Sequence, residues 1–272
     1  MTVIAVIGSL SSDVVAGAPA RPGGPVYYAA RALARLGADA CVVTRCAAED
    51  VDRLVPPLEA FGLRVEGRPG ERTSGFSFHY EGDDRVMEVD AIGDPWTPAD
   101  VTGWAGHALD DAAWIHVGAL LRSDFPTPTL KALSDRGRLL LDGQGLVRRA
   151  WIGPLDRDAD VDREVFGLAT ILKLNEDEAR VLAGGIEAER LRELGVPEVV
   201  LTLGSAGALV VTASTADRVP PVQIDGAVDP TGAGDAFAAG YLHARTQGAQ
   251  PLDAAQAASE LTAAMLAPAK SS

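Results

Sequence analysis

Short runs of β-branched and aliphatic residues recur along this 272-residue chain, and between them lie stretches whose apolar residues return every three or four positions. The first pattern occupies residues 2–7 (TVIAVI), 40–43, 113–117, 138–141, 170–174, 199–203 and 208–211; the second occupies 26–36, 127–135, 162–166, 176–182, 188–194 and 253–266. Strands that alternate with helices bury their apolar surface together as a mostly parallel sheet with helices on both faces, so an α/β three-layer fold is expected. One segment breaks the alternation. Residues 73–90, TSGFSFHYEGDDRVMEVD, alternate apolar and polar on both sides of the turn EGDD, as a β-hairpin does. A hairpin has no place in a parallel sheet. It is expected to form a small β lid at about 70–92, with 11–20 as a candidate extension, on a single domain spanning 1–272.

Composition narrows the partners. The chain is 47% hydrophobic and 23% charged, which suits a packed globule. A formal charge of -14 disfavours nucleic acid and anionic membrane as partners. No apolar run approaches the roughly 18 residues of a membrane span. The opening MTVIAVIGSL lacks a basic start and reads as a first strand rather than a secretory leader, so a cytoplasmic location is expected. Cys41 and Cys46 sit in or beside a strand and read as reduced core residues, with a redox role as the alternative.

The stretch DPTGAGDAF (229–237) carries the most chemistry. Gly232, Ala233 and Gly234 stand before Asp235, and an Ala-rich amphipathic run follows at once, so a loop opens into a helix here. The first N–H groups of a helix have no partner within it and attract anions, phosphate above all. A carboxylate would repel that phosphate unless it had another task, such as taking a proton from an attacking hydroxyl. The helix end is expected to keep Asp235 ionised.

Other candidates have a bland alternative. SLSSDVVAG reads as polar loop after the first strand; its Asp13 lies where open α/β sheets bind ligands, or else caps a helix or solvates the loop. Gly23 and Gly24 precede a helix and would permit close approach to a small polar molecule. Asn175 and Glu178 in LKLNEDEA share a helix face, and form a capping box or a binding pair. Gly204 and Gly207 join two strands, either as a plain edge hairpin or as a turn against which a nucleotide lies. Asp142 and Gln144 in LLLDGQGLVR follow a strand at the pocket end of the sheet.

Taken in order, the double glycine, the hairpin insertion, NEDE, TLGSAG and DPTGAGDAFAAGYL resemble the ribokinase or PfkB family of carbohydrate kinases over essentially the whole chain. The resemblance implies a ribokinase-like fold and transfer of the γ-phosphoryl group of ATP, with Mg2+, to a hydroxyl of a small polyol. It implies that Gly232, Ala233 and Gly234 form the anion hole and Asp235 is the base. Asn175 and Glu178 would hold magnesium, Glu178 through water. Asn175, Thr202, Gly204, Gly207 and Thr231 would lie on the nucleotide side, and Asp13, Gly23, Gly24, Tyr28, Asp142 and Gln144 on the acceptor side.

The chain also departs from that family. Furanose-binding members place Asn four residues after the second glycine, where this chain has Tyr28 beside Tyr27. An aromatic ring there would stack on a sugar or cyclitol face, while one of the two tyrosines is expected simply to pack the helix. GGPVYYAA and DGQGLVR are more similar to the cyclitol and nucleoside branches, such as myo-inositol kinase-like members. Pairing of two lids through Phe76, Phe78 and Tyr80 into a homodimer is a further expectation, with contact to substrate as the alternative. Two other classes, a nucleotide-dependent oxidoreductase and a degenerate binding protein of the same fold, fit less well, and P-loop kinases are excluded. A dinucleotide fingerprint belongs after the first strand, not near residue 232, and no GxxxxGK[ST] loop occurs. A degenerate binding protein of the same fold is disfavoured by the joint presence of Glu178, Gly232, Gly234 and Asp235.

Overall fold

The structure is a computed structural model and describes residues 3–15, 17–81, 84–224 and 229–267. The strands of these residues are, in chain order, β1 (Val3–Ser9), β2 (Ser11–Val15), β3 (Arg21–Gly23), β4 (Ala40–Arg45), β5 (Arg64–Gly67), β6 (Ser74–Glu81) and β7 (Asp84–Ala91). They continue with β8 (Ala112–Gly118), β9 (Arg138–Asp142), β10 (Gly153–Pro154), β11 (Ala169–Asn175), β12 (Glu198–Thr202), β13 (Ala208–Thr212) and β14 (Ala216–Val219). Among the described residues they form a nine-stranded sheet, ordered β14-β13-β12-β11-β9-β8-β1-β4-β5, and a five-stranded sheet, ordered β10-β7-β6-β2-β3.

From β12 to β5 every pairing in the large sheet is parallel; β13 and β14 complete one edge antiparallel. Because successive side chains in a strand point to opposite faces, each strand feeds two cores. Ile4 and Val6 of β1 join Val42, Val200 and the helices Pro25–Arg35, Ala233–Thr246 and Pro251–Leu266 on one side. Ala5 and Ile7 join Val43, Ile115, Leu172 and the helices Thr127–Ser134 and Glu176–Ala183 on the other. The expected three layers are therefore present, and the Ala-rich last helix is packing surface. Cys41 and Cys46 are buried free thiols, and Cys41 donates to the Ala108 carbonyl at 3.1 Å. No helix among the described residues is long and apolar enough to cross a membrane.

Two expectations need correction. The segment expected as a polar loop after β1 is strand β2, parallel to β6 and antiparallel to β3. Ser11 and Asp13 are buried on one of its faces, so its inward side is polar and the usual apolar alternation is missing. The lid is thus a five-stranded sheet that includes 11–15 and also recruits 21–23 and 153–154, rather than a lone hairpin. Second, Phe76 and Phe78 are 2% and 6% exposed, packed with Val89, Leu120 and Leu121 beneath the lid. They are not an outer face on which two lids could pair. The side chain of Tyr80 lies outside the described residues.

Candidate active site

Parallel strands bring their carboxyl ends to one edge of the sheet, and the polar residues that follow β1, β9, β11 and β12 gather there. The helix Ala233–Thr246 begins at the same edge. Its N-cap is Gly232, with φ 78°, a left-handed conformation open to glycine at little cost. A side chain at this position would also overlap the Tyr28 ring, which lies directly on the turn. Pro230 and Gly234 line two cavities, one on each side of the turn.

The first cavity, about 240 Å³, lies between the turn and the lid. Phe76, Phe78, Met87 and Leu120 supply an apolar wall, and Ser11, Asp13, Tyr28 and Gln144 supply polar groups. Ser11 Oγ donates to Asp13 Oδ1 at 2.7 Å, and the Gln144 side-chain amide donates to the Ala119 carbonyl at 2.9 Å, so both are oriented. Burial pushes the Tyr28 phenol up to about 12, with the Asp13 carboxylate adding to the shift. Tyr27 instead packs on Phe61 at 5.1 Å in the core, so one tyrosine of the pair packs and the other faces the cavity. Gly24 lines the cavity but Gly23 does not. A Cβ at Gly23 would overlap the Asp13 carboxylate, so this glycine makes room for Asp13 rather than for a ligand.

At the floor stands a cluster of buried charges. Lys173 Nζ lies 3.1 Å from Asp142 Oδ2, while Asp142 Oδ1 accepts from the Gln144 backbone N–H at 3.2 Å. Asp142 is only 2% exposed and does not line the cavity: the expected acceptor contact is a counter-ion for lysine. Burial opposes the lysine charge, but Asp142, Glu178 and Asp235 outweigh it and hold Lys173 above the usual lysine range. Asp235 behaves oppositely to expectation. Burial, and then repulsion from Asp142, raise it to about 7 against the pull of Lys173 and Arg148. Desolvation of a carboxylate set into the cavity wall exceeds the modest help of a helix terminus.

Asn175 caps the helix Glu176–Ala183 and forms a complete capping box with Glu178. Its side-chain amide and its backbone N–H each donate to one Glu178 oxygen at 2.9 Å, and the Glu178 N–H donates back to Asn175 Oδ1 at 2.9 Å. The bland reading of this pair is therefore correct as local structure. Both residues nevertheless line the first cavity, and burial holds Glu178 above the usual carboxylate range. No group of three or more His, Cys, Asp or Glu side chains among the described residues could hold a metal by itself. Glu178, one of three carboxylates lining the cavity beside Asp13 and Asp235, suits a magnesium ion that keeps its waters and takes its other oxygens from a phosphate.

The second cavity, about 390 Å³, is lined by Thr202, Gly204, Gly207 and Ala233 and by apolar groups of Val222, Phe237 and Leu266. The stretch from β12 to β13 is thus both an antiparallel edge hairpin and a cavity wall. Thr231 lines the first cavity rather than this one, and its hydroxyl and N–H both donate to Asp229. Sequence reasoning missed Ser11, Arg148 and Lys173. A lysine inside the otherwise apolar strand ATILKLN was the available signal for one of them, since an unpaired charge is not buried without cause.

A model of the pfkB family carbohydrate kinases matches residues 12–269. Aminoimidazole riboside kinase of Salmonella typhimurium is 33% identical over 116 residues, which cover 41% of this chain and 36% of that protein, little more than a third of its length. Ribokinase of Bacillus subtilis is 27% identical over 265 residues, covering 90% of this chain and 86% of its own. A solved pyrophosphate-dependent kinase in the ribokinase family, complexed with a pyrophosphate analog and myo-inositol, shares the fold with TM-score 0.83 and 23% identity, over 97% of this chain and 95% of that one.

Proposed function

Since the chain belongs to the pfkB family of carbohydrate kinases, we propose that it transfers the γ-phosphoryl group of ATP to a hydroxyl of a neutral polyol, such as a sugar, cyclitol or nucleoside. The observation that carries this is the turn 230–234, whose residues line a cavity on either side. One cavity has Asp235 in its wall and suits the acceptor; the other is largely apolar and suits an adenine. The reacting groups would meet at the turn. Asp13 in the acceptor cavity disfavours an anionic acceptor and favours hydroxyl donors.

The acceptor oxygen attacks the γ-phosphorus, a new O–P bond forms, the bond to the bridging oxygen breaks, and its electron pair leaves on ADP. The acceptor proton passes to Asp235, whose raised pKa of about 7 makes it a stronger base than an ordinary carboxylate. The backbone N–H groups that open the helix Ala233–Thr246 stabilise charge on the moving group. Phe76, Phe78 and Met87 would exclude water, which competes as acceptor. Magnesium, when bound beside Glu178 and Asn175, would neutralise charge on the donor phosphates.

The test is release of ADP from ATP against a panel of cyclitols, hexoses and ribonucleosides, with pyrophosphate as a second donor. ATP-dependent phosphorylation of one acceptor class supports the proposal. Turnover with pyrophosphate but not ATP would overturn the role given to the second cavity, and no turnover with any pair would overturn the kinase assignment.

A further inference from the structure

The first cavity contains a cation that no carboxylate among the described residues pairs with directly. Arg45 pairs with Asp100 at 3.4 Å, Arg122 with Asp158, and Arg245 with Glu198 at 3.0 Å. Arg148 has no such partner. Its guanidinium makes no hydrogen bond or ion pair among the described residues, and its Nε is buried with nothing to donate to. Two of the nearby carboxylates are committed elsewhere, Glu178 to Asn175 and Asp142 to Lys173 and the Gln144 backbone N–H; the third, Asp235, acts on Arg148 through its field but makes no ion pair with it. The backbone of Arg148 is nevertheless firmly held, its N–H donating to the Gln144 carbonyl at 3.1 Å and its carbonyl accepting from the Arg122 N–H at 3.0 Å. The side chain lines the cavity beside Lys173, Glu178 and Asp235.

A partly buried guanidinium whose Nε is sealed from solvent with no acceptor is a cost to the folded state, and desolvation outweighs the field of Glu178, Asp142 and Asp235 to lower its pKa. Such a cost persists where the missing partner is a ligand. That ligand must be an anion with oxygens spaced for a planar fork, and arginine matches phosphate in this way better than lysine does. The acceptor is a poor candidate for the negative charge, because the Asp13 carboxylate shares its pocket. The transferring group is the remaining one. Resting on the phosphoryl transfer described above, we propose that Arg148 is a further catalytic residue, whose guanidinium holds the oxygens of the phosphoryl group as it passes from donor to acceptor. No bond to Arg148 forms or breaks; it stays protonated and supplies hydrogen bonds to charge that spreads over the moving group. Lys173 is the second cation nearby, but its charge is already matched by Asp142.

The test uses the full chain without nucleotide and reads inorganic phosphate binding by thermal shift and calorimetry. Wild type should bind phosphate, Arg148→Gln should bind it at least about tenfold more weakly, and Arg148→Lys should fall between, because charge remains and the fork is lost. ADP affinity should not change, since Arg148 does not line the second cavity. With an acceptor and ATP, Arg148→Gln should lower kcat by about 10³-fold, the lower end for an arginine acting on a transferring phosphoryl group, with little change in acceptor KM. A structural arginine would show itself differently. Here the ligand-free Arg148→Gln protein should melt at or above the wild-type temperature, because an unpaired buried charge has been removed. Wild-type phosphate affinity in Arg148→Gln, absence of phosphate binding by wild type, or a large fall in the melting temperature of Arg148→Gln would each overturn the proposal. If phosphate binding depends on Arg148 but no acceptor is phosphorylated from any donor, the anion site stands and the kinase assignment fails.

Discussion

Replacing Asp235 by Asn should damage catalysis and strengthen the fold at the same time. The carboxylate stands partly buried in the cavity wall, and desolvation followed by repulsion from Asp142 raises its pKa from 3.8 to about 7. Between those two values the folded chain binds a proton that the unfolded chain has released. The stability this group contributes is therefore present at low pH and is lost as pH rises through the folded value. At 1.36 kcal/mol for each pKa unit, the ionised carboxylate costs the folded state about 4 kcal/mol at pH 8, and less than half of that at pH 5. Asn has no charge to desolvate and nearly the same shape. The Asp235→Asn protein should accordingly gain a few kcal/mol over wild type at pH 8, and distinctly less at pH 5, read by urea unfolding at both values. Its turnover at saturating acceptor should fall by roughly 10²–10⁴-fold, the scale of a lost general base. Equal stability of the two proteins at pH 8 would refute the desolvated environment of this carboxylate. Near wild-type turnover would refute its role as base.

Three further outcomes follow from the same cluster. Asp142→Asn removes the largest charge repelling Asp235 and frees Lys173 to attract it, so the acid limb of the kcat/KM profile should move from near pH 7 to lower pH; stability should fall, because Lys173 loses its counter-ion. An unmoved limb would exclude this coupling. Gly232→Ala imposes a side chain at φ 78° against the Tyr28 ring and should cost about 2–4 kcal/mol in thermal or denaturant unfolding, with activity lost, whereas a neutral effect would mean that the turn relaxes freely. Glu178→Gln can retain the cap on the Asn175 N–H and should leave the melting temperature almost unchanged, while raising the magnesium concentration needed for half-maximal rate by about 10–100-fold. An unchanged magnesium requirement would confine Glu178 to its capping role.

What could be read from the residues depended on whether a position obeys a local rule. Strand and helix periods are local, and the parallel sheet followed from them because every buried strand, such as ILKL between Ala169 and Asn175, is apolar enough to show its period. Strand β2 was hidden, since its inward residues are Ser11 and Asp13 and its partners β3 and β6 come from elsewhere in the chain. The glycine turn and Asp235 were legible because a motif of unusual backbone requirements leaves a dense signature. The charge state of Asp235 was not, because it is set by Asp142, Lys173 and Arg148, which approach only in the folded chain. Gly23 shows the same limit: the need for a bare Cα was visible, but not that Asp13 is what fills the space.

The most direct test of phosphoryl transfer at this turn follows the γ-phosphoryl group itself. Wild type and Asp235→Asn would be incubated with magnesium and γ-labelled ATP in the presence of each acceptor class, and label in the phosphate ester would be compared with ADP formed. Wild type should place label on one class of polyol in equal amount with ADP, and Asp235→Asn should do so at least roughly 10²-fold more slowly. Label that never reaches a polyol, or that reaches it equally fast without the carboxylate, would contradict phosphoryl transfer by Asp235 at this turn.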